Sequence, residues 1–295
     1  MKEAVPNYYH KFKCIQDKCK HNCCIGWEID IDDDTLMLYE SLDTPLGEKI
    51  RSNITGDVPH FKLAAGERCP FLMDSGLCEI IAEYGEDAIC DICYLHPRFK
   101  NFYSDFTETG LGLACEEAAR IILFEKDKFF IEIPKDAGVT KEEQDFFQKR
   151  EEIFSLLTDR NIRISERFYC LAEKFGLNFE FSLEKLVEKY KSLEILDKEW
   201  LKVIDTLNGA EFDGKIFEKD EFQLFFEQLS VYFIFRHLAD SVENGVKFAL
   251  VSCYFIGAII ACNMPLDWDK IIDIVRMYSA EIEYAYENTQ KVMML

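Results

Sequence analysis

The stretch CIQDKCKHNCCIGWEIDID, residues 14–32, sets Cys14, Cys19, Cys23 and Cys24 close together at the start of an unusual zone. Nine of the twelve cysteines fall between Cys14 and Cys115, leaving only Cys170, Cys253 and Cys262 for the rest. Working outward, the zone continues as Cys69-x8-Cys78, Cys90-x2-Cys93 and Cys115. Turn residues at Pro45, Gly47, Gly56, Pro59, Gly66, Gly76 and Gly85 punctuate it, so it reads as loop-rich. Short helices fit Thr35–Ser52 and Ile80–Cys93.

From Cys115 the pattern changes. CEEAARIILFEK places acidic residues in a first helical turn and then an apolar stripe. DKFFIEI, Asp127–Ile133, alternates weakly, as a short strand would. Helical periodicity follows over Lys141–Leu157, Ile164–Phe175, an interrupted Ser182–Leu207, Lys219–Leu238, Val246–Asn263 and Asp267–Thr289. Ser182 ahead of Leu183, Leu186, Val187 and Tyr190 gives a cap and a buried stripe. The expected fold is mainly α: a loop-rich, cysteine- and metal-binding N-terminal segment packed on a helical C-terminal region. Pro134 and Gly138 suggest a soft boundary between residues 1–133 and 134–295, or one integrated domain.

Composition narrows the function. The chain has 295 residues, 48% apolar and 30% charged, which suits a globular protein with a sizeable core. Its 34 basic and 55 acidic residues leave a net charge of −21, which argues against nucleic acid, because phosphate binding needs a basic footprint. MKEAVPNYYHKFKC lacks the apolar run of a secretory signal, so the expected location is cytoplasmic. The uncharged run Phe248–Met264 falls short of a membrane span and is closed by Pro265; it reads as a core helix, with no membrane partner.

In a reducing compartment clustered cysteines point to metal or redox chemistry more than to disulfides. Thiolates from short chelating turns converge at little entropic cost, and Cys90-x2-Cys93 has that spacing. Four suffice for one zinc or one [4Fe–4S] cluster, so the nine candidates (Cys14, Cys19, Cys23, Cys24, Cys69, Cys78, Cys90, Cys93 and Cys115) exceed one site. Spacing alone does not separate zinc from iron–sulfur; the surplus of thiols and the lack of paired CxxC knuckles lean towards iron–sulfur. Cys170, Cys253 and Cys262 lie on apolar helical stripes and read as core.

These blocks resemble a known family. Phe12-x-Cys14-x4-Cys19-x3-Cys23-Cys24-x-Gly26-Trp27-x-Ile29-x-Ile31-Asp32 is similar to the opening motif of the FliB-type flagellin lysine N-methylases. Cys69-Pro70-Phe71-Leu72 with Gly76-Leu77-Cys78-x-Ile80 resembles the second block. Cys90-x2-Cys93-x2-His96-Pro97-Arg98 and Leu111-x2-Ala114-Cys115-x-Glu117-Ala118-Ala119-Arg120 resemble the third and fourth, with Tyr232-x-Ile234-Phe235-Arg236-His237 similar in character. The cysteine block also resembles the smaller YkgJ-like cysteine-cluster proteins. The resemblance implies an S-adenosylmethionine-dependent methyltransferase acting on flagellin lysines, with a [4Fe–4S] cluster held by the cysteines.

The usual nucleotide fingerprint is missing. Thr109-Gly110-Leu111-Gly112-Leu113 lacks a third glycine and a convincing preceding strand, and reads as a turn into the Cys115 helix. Candidate cofactor contacts are Arg98 and Arg120 for a carboxylate, against the plainer reading of ion pairs with Glu117 or Glu108. Trp27 is a candidate to stack on adenine, or else a core tryptophan shielding a metal. Asp32-Asp33-Asp34 reads as a solvated cap of the Thr35 helix rather than a cation site. Two rivals stand beside the methyltransferase: a zinc or iron–sulfur module with a structural role, and a redox or electron-transfer protein.

Overall fold

The computed structural model describes residues 2–177, 179, 181–239 and 241–295. In chain order they form β1 (Lys2–Ala4), α1 (Asp33–Ser41), α2 (Pro45–Ser52), β2 (Ile54–Thr55), β3 (His60–Phe61), α3 (Glu79–Tyr84), α4 (Asp91–Leu95), β4 (Arg98–Phe102) and β5 (Phe106–Leu111). Nine helices follow: α5 (Glu116–Leu123), α6 (Lys141–Leu157), α7 (Ile164–Lys174), α8 (Leu183–Lys191), α9 (Lys198–Asp205), α10 (Asp220–His237), α11 (Val242–Cys262), α12 (Trp268–Glu283) and α13 (Tyr286–Met293). The architecture is mainly α.

Two units divide the chain, Lys13–Arg98 and Met1–Phe12 with Phe99–Leu295. The expectation from sequence was a soft boundary at 133/134, or one integrated domain, whereas this division falls at other places. The reason is pairing and packing: β1 runs parallel to β5 with Lys2 opposite Phe106, and α5 packs on α10 and α12. The first residues and the Cys115 helix therefore belong with the helical body.

The smaller unit is built from short elements around its own core of Ile29, Ile31, Tyr39, Ile50, Phe61, Phe71 and Ile80, joined by the thiols of Cys69 and Cys90. Asp32 caps α1 by accepting the Thr35 N–H at 2.9 Å, as the sequence suggested. The expected Thr35–Ser52 helix breaks where Thr44 caps α2 and Pro45 takes its first position, since proline cannot donate within a continuing helix. The expected Ile80–Cys93 helix breaks at Gly85, whose φ of +88° is left-handed and glycine-favouring.

In the larger unit most of the expected helices are present. Thr140 and Glu143 close a capping box on α6. Ser182 caps α8, whose Leu183, Leu186, Val187 and Tyr190 are buried as their spacing requires. The last expected helix divides at Tyr284–Ala285 into α12 and α13. Among the described residues α11 alone is long and apolar enough to cross a membrane, and 78% of its apolar window is buried within the protein.

Two local readings are corrected. Asp127–Ile133 is not a strand; it makes one isolated bridge, Pro6 to Ile131, while Phe129 turns inward against Tyr8, Phe154 and Phe235. The Thr109–Leu113 run begins inside β5, and only Gly112 onward turns into α5. All six residues of β5 are buried in a sheet ordered β1-β5-β4, which removes the alternation that marks a half-exposed strand.

Candidate functional site

Eight of the nine candidate thiols lie within the Lys13–Arg98 unit, and six of them, Cys23, Cys24, Cys69, Cys78, Cys90 and Cys93, are near enough to interact. The loop carrying Cys24 lies against the one carrying Cys69, because the Cys69 N–H donates to the Cys24 carbonyl at 2.8 Å and Gly26 N–H to Glu67 at 3.0 Å. Cys78 is bridged to Leu72 and caps α3. Cys90 stands at the N-cap of α4, so Cys93 follows one turn later, its N–H donating to the Cys90 carbonyl at 2.9 Å. Asp32 holds this turn as well, accepting the Asp91 N–H at 2.8 Å. One carboxylate thereby ties the start of α1 to the Cys90–Cys93 turn.

The thiols feel one another's charge. Cys24 interacts with Cys23, Cys69 and Cys78, and Cys93 with Cys90, Cys24 and Cys69. A hydrogen bond from Cys24 lowers the Cys23 thiol to about 7 and raises that of Cys24. Cys93 acts likewise on Cys90, lowering its thiol, with Tyr39 assisting. Burial pushes Cys69 up to about 11 and raises Cys78. The Cys23–Cys24 and Cys90–Cys93 pairs thus each hold one thiol inclined to ionise, the state in which sulfur binds metal. Tyr39, missed in the sequence, is fully buried with its Oη 2.8 Å from the Ala88 carbonyl and 3.7 Å from Cys90 Sγ. Nothing in its helical stripe separates it from an ordinary core tyrosine.

Among the described residues no three His, Cys, Asp or Glu side chains are already disposed around a single metal ion. Two hydrogen-bonded thiol pairs, Cys23–Cys24 and Cys90–Cys93, stand beside Cys69 and Cys78 without a closed coordination shell. Their donor chemistry, six sulfurs of which Cys69 and Cys90 are buried, Cys24, Cys78 and Cys93 half-buried and Cys23 exposed, is that of a thiolate-held zinc or iron–sulfur centre. Among the other candidates, Cys14 is exposed, Cys19 lies 3.1 Å from the His21 carbonyl, and Cys115 belongs to the other unit. None of the twelve cysteines, all described, forms a disulfide.

Trp27 is half-buried; its indole N–H donates to the Cys23 carbonyl and its ring lies 5.6 Å from that of His96. It borders the thiols, as a shield would. Burial, with Arg98 nearby, depresses His96 to about 4, so it is neutral near pH 7. Arg98 donates to the Tyr94 carbonyl at 3.1 Å, and Arg120 pairs with Glu117 one turn away. Glu108 is taken instead by Arg150, at 2.6 and 2.7 Å. Cys253 is buried, whereas Cys170 and Cys262 are half-buried.

The larger unit carries a buried polar cluster that the sequence reading left unexplained. Glu283 accepts from Tyr232 at 3.0 Å and contacts His237 Nε2 at 2.6 Å and Arg236 Nε at 3.3 Å. Tyr232 accepts the Leu113 N–H and the Arg236 guanidinium, at 3.2 and 2.8 Å. Arg236 also lies over the Phe99 and Tyr284 rings at 4.9 and 5.1 Å. Despite complete burial, Arg236 and His237 keep the Glu283 carboxyl below its usual range. Glu283 had no sequence signal, because its partners lie on α10, far away along the chain.

Known proteins can now be set beside this geometry. No family model and no solved structure matches the chain. It is 26% identical over 215 residues to the lysine-N-methylases of Salmonella typhimurium and Salmonella choleraesuis, covering 65% of this chain and 54% of each relative. It is also 30% identical over 138 residues to the flagellar biosynthetic protein FliU of Salmonella muenchen, covering 43% of this chain and 82% of FliU. The chain belongs to the FliB-type lysine N-methylase family. It spans about half the length of the two curated lysine-N-methylases it matches. Family membership gives the ordered cysteine blocks their context, and the folded unit supplies their convergence.

Proposed function

We propose that this chain is a protein-lysine N-methyltransferase using S-adenosylmethionine, acting on flagellin in the cytoplasm, with a [4Fe–4S] cluster held among Cys23, Cys24, Cys69, Cys78, Cys90 and Cys93. The observation that carries the reading is the convergence of those six thiols in a chain whose relatives are named lysine-N-methylases. When bound, such a cluster supplies an iron able to exchange electrons or act as a Lewis acid. The protein's own part is to present the thiols from three loops, to hold the Cys90–Cys93 turn through Asp32, and to limit water through Trp27. The net charge of −21 favours approach of a lysine-bearing surface.

The test combines anaerobically purified protein, methyl-labelled S-adenosylmethionine and cognate flagellin, with modified lysines mapped by mass spectrometry. Label on lysine, lost with Cys90→Ser or Cys93→Ser, is expected. A second reading, a structural zinc or iron–sulfur module, has in its favour that Cys69 and Cys90 lie inside the small unit's core. Metal-loaded protein that transfers no label would select that reading.

A further inference from the structure

Against the acidity of the whole chain, one cavity in the larger unit is basic. It measures about 600 Å³ and is lined by Lys126, Arg160, Arg163 and Arg167 against Asp220 and Glu227, an excess of two positive charges in the lining, with Asp127 and Asp159 acting on Arg160 and Arg167 from outside it. That volume lies in the range of small-molecule sites. Glu227, 1% exposed, fixes two of the guanidiniums: Arg160 bonds it through Nε at 3.0 Å and Nη2 at 2.7 Å, and Arg167 through Nη1 at 2.7 Å. Arg160 is further held by the Lys126 carbonyl at 2.9 Å.

Arg167 is 2% exposed, with Nε on the Ile162 carbonyl and Nη1 on Leu157 and Glu227. Its Nη2 has no hydrogen-bond partner among the described residues, yet this arginine lines the cavity. Arg163 spends only Nη1, on the Glu218 carbonyl and Asp220. The same cavity lies at two helix starts, since Arg163 immediately precedes α7 and Asp220 opens α10. Both helix dipoles therefore add positive potential to the arginines.

We infer that this cavity is a binding site for a small phosphate monoester, whose dianionic head matches the two excess charges and whose body occupies the remaining volume. A carboxylate, with one charge, matches less well. The site is independent of the methyltransferase reading.

The full chain is titrated calorimetrically at low ionic strength with inorganic phosphate, and separately with acetate. Saturable one-to-one binding of phosphate is expected, with acetate at least about tenfold weaker. Arg163→Gln should weaken phosphate binding about tenfold, and Asp220→Asn should strengthen it severalfold, circular dichroism being unchanged in both. A merely structural Arg163–Asp220 pair would give equal losses in the two variants. Equal losses, acetate binding as tightly as phosphate, or no saturable heat would overturn the inference.

Discussion

At the residue scale, His96 is a titrating group of the cysteine-bearing unit. Its folded value of about 4 lies below the ordinary histidine value of 6.5, so the unfolded chain takes up a proton first. Stability therefore falls as pH drops below about 6.5 and levels off once the folded form also protonates near 4. Partial exposure limits the effect to about 2 kcal/mol. His96→Phe should flatten that limb in urea titrations followed across pH; an unchanged limb would show that another group drives it. The thiols make a second residue-scale case. Cys24→Ser, Cys69→Ser and Cys93→Ser should each reduce bound metal severely, whereas Cys14→Ser, at an exposed position, should leave metal content near the parent value. Metal analysis of the four variants decides it, and equal loss in all four would place the centre elsewhere.

At the element scale, β5 and α6 meet in a buried ion pair. Glu108 and Arg150 are 0% and 3% exposed, with Tyr103 Oη donating to the same carboxylate at 3.2 Å. Glu108→Gln leaves the guanidinium uncompensated, and the unfolding free energy should drop by about 3 kcal/mol. Replacing both partners by leucine and methionine should recover most of the loss, and a double mutant no better than the single would refute the desolvation argument. Gly110 makes the second test. A Cβ there would meet the Phe99 ring and stand 2.6 Å from Phe235 Cε1, so Gly110→Ala should cost about 1–3 kcal/mol in a denaturant midpoint. These two elements also mark where sequence reading succeeds and fails. Helices with a cap and a one-sided stripe, such as α8, were legible because both signals are local. The strand β5 was not, since burial on both faces erases its alternation and its partner β1 lies about a hundred residues earlier. The thiol blocks were legible as a constellation. Which six converge was not, because that depends on loop contacts such as Cys69 with Cys24.

At the scale of the whole molecule, the chain separates into a thiol-bearing unit and a helical unit, each with its own apolar core. Metal should therefore stabilise one more than the other. Anaerobic chelation is expected to lower the calorimetric transition of Lys13–Arg98 and move that of the helical unit by no more than about 2 °C; a single transition shifting as a whole would contradict two separable cores. The central claim is that the gathered thiols hold an iron–sulfur cluster. Counting iron and acid-labile sulfide in protein purified without oxygen tests it most directly. The account predicts about four of each per chain, a brown protein, and loss of both in Cys90→Ser. A colourless protein carrying one zinc, or no metal at all, would contradict it.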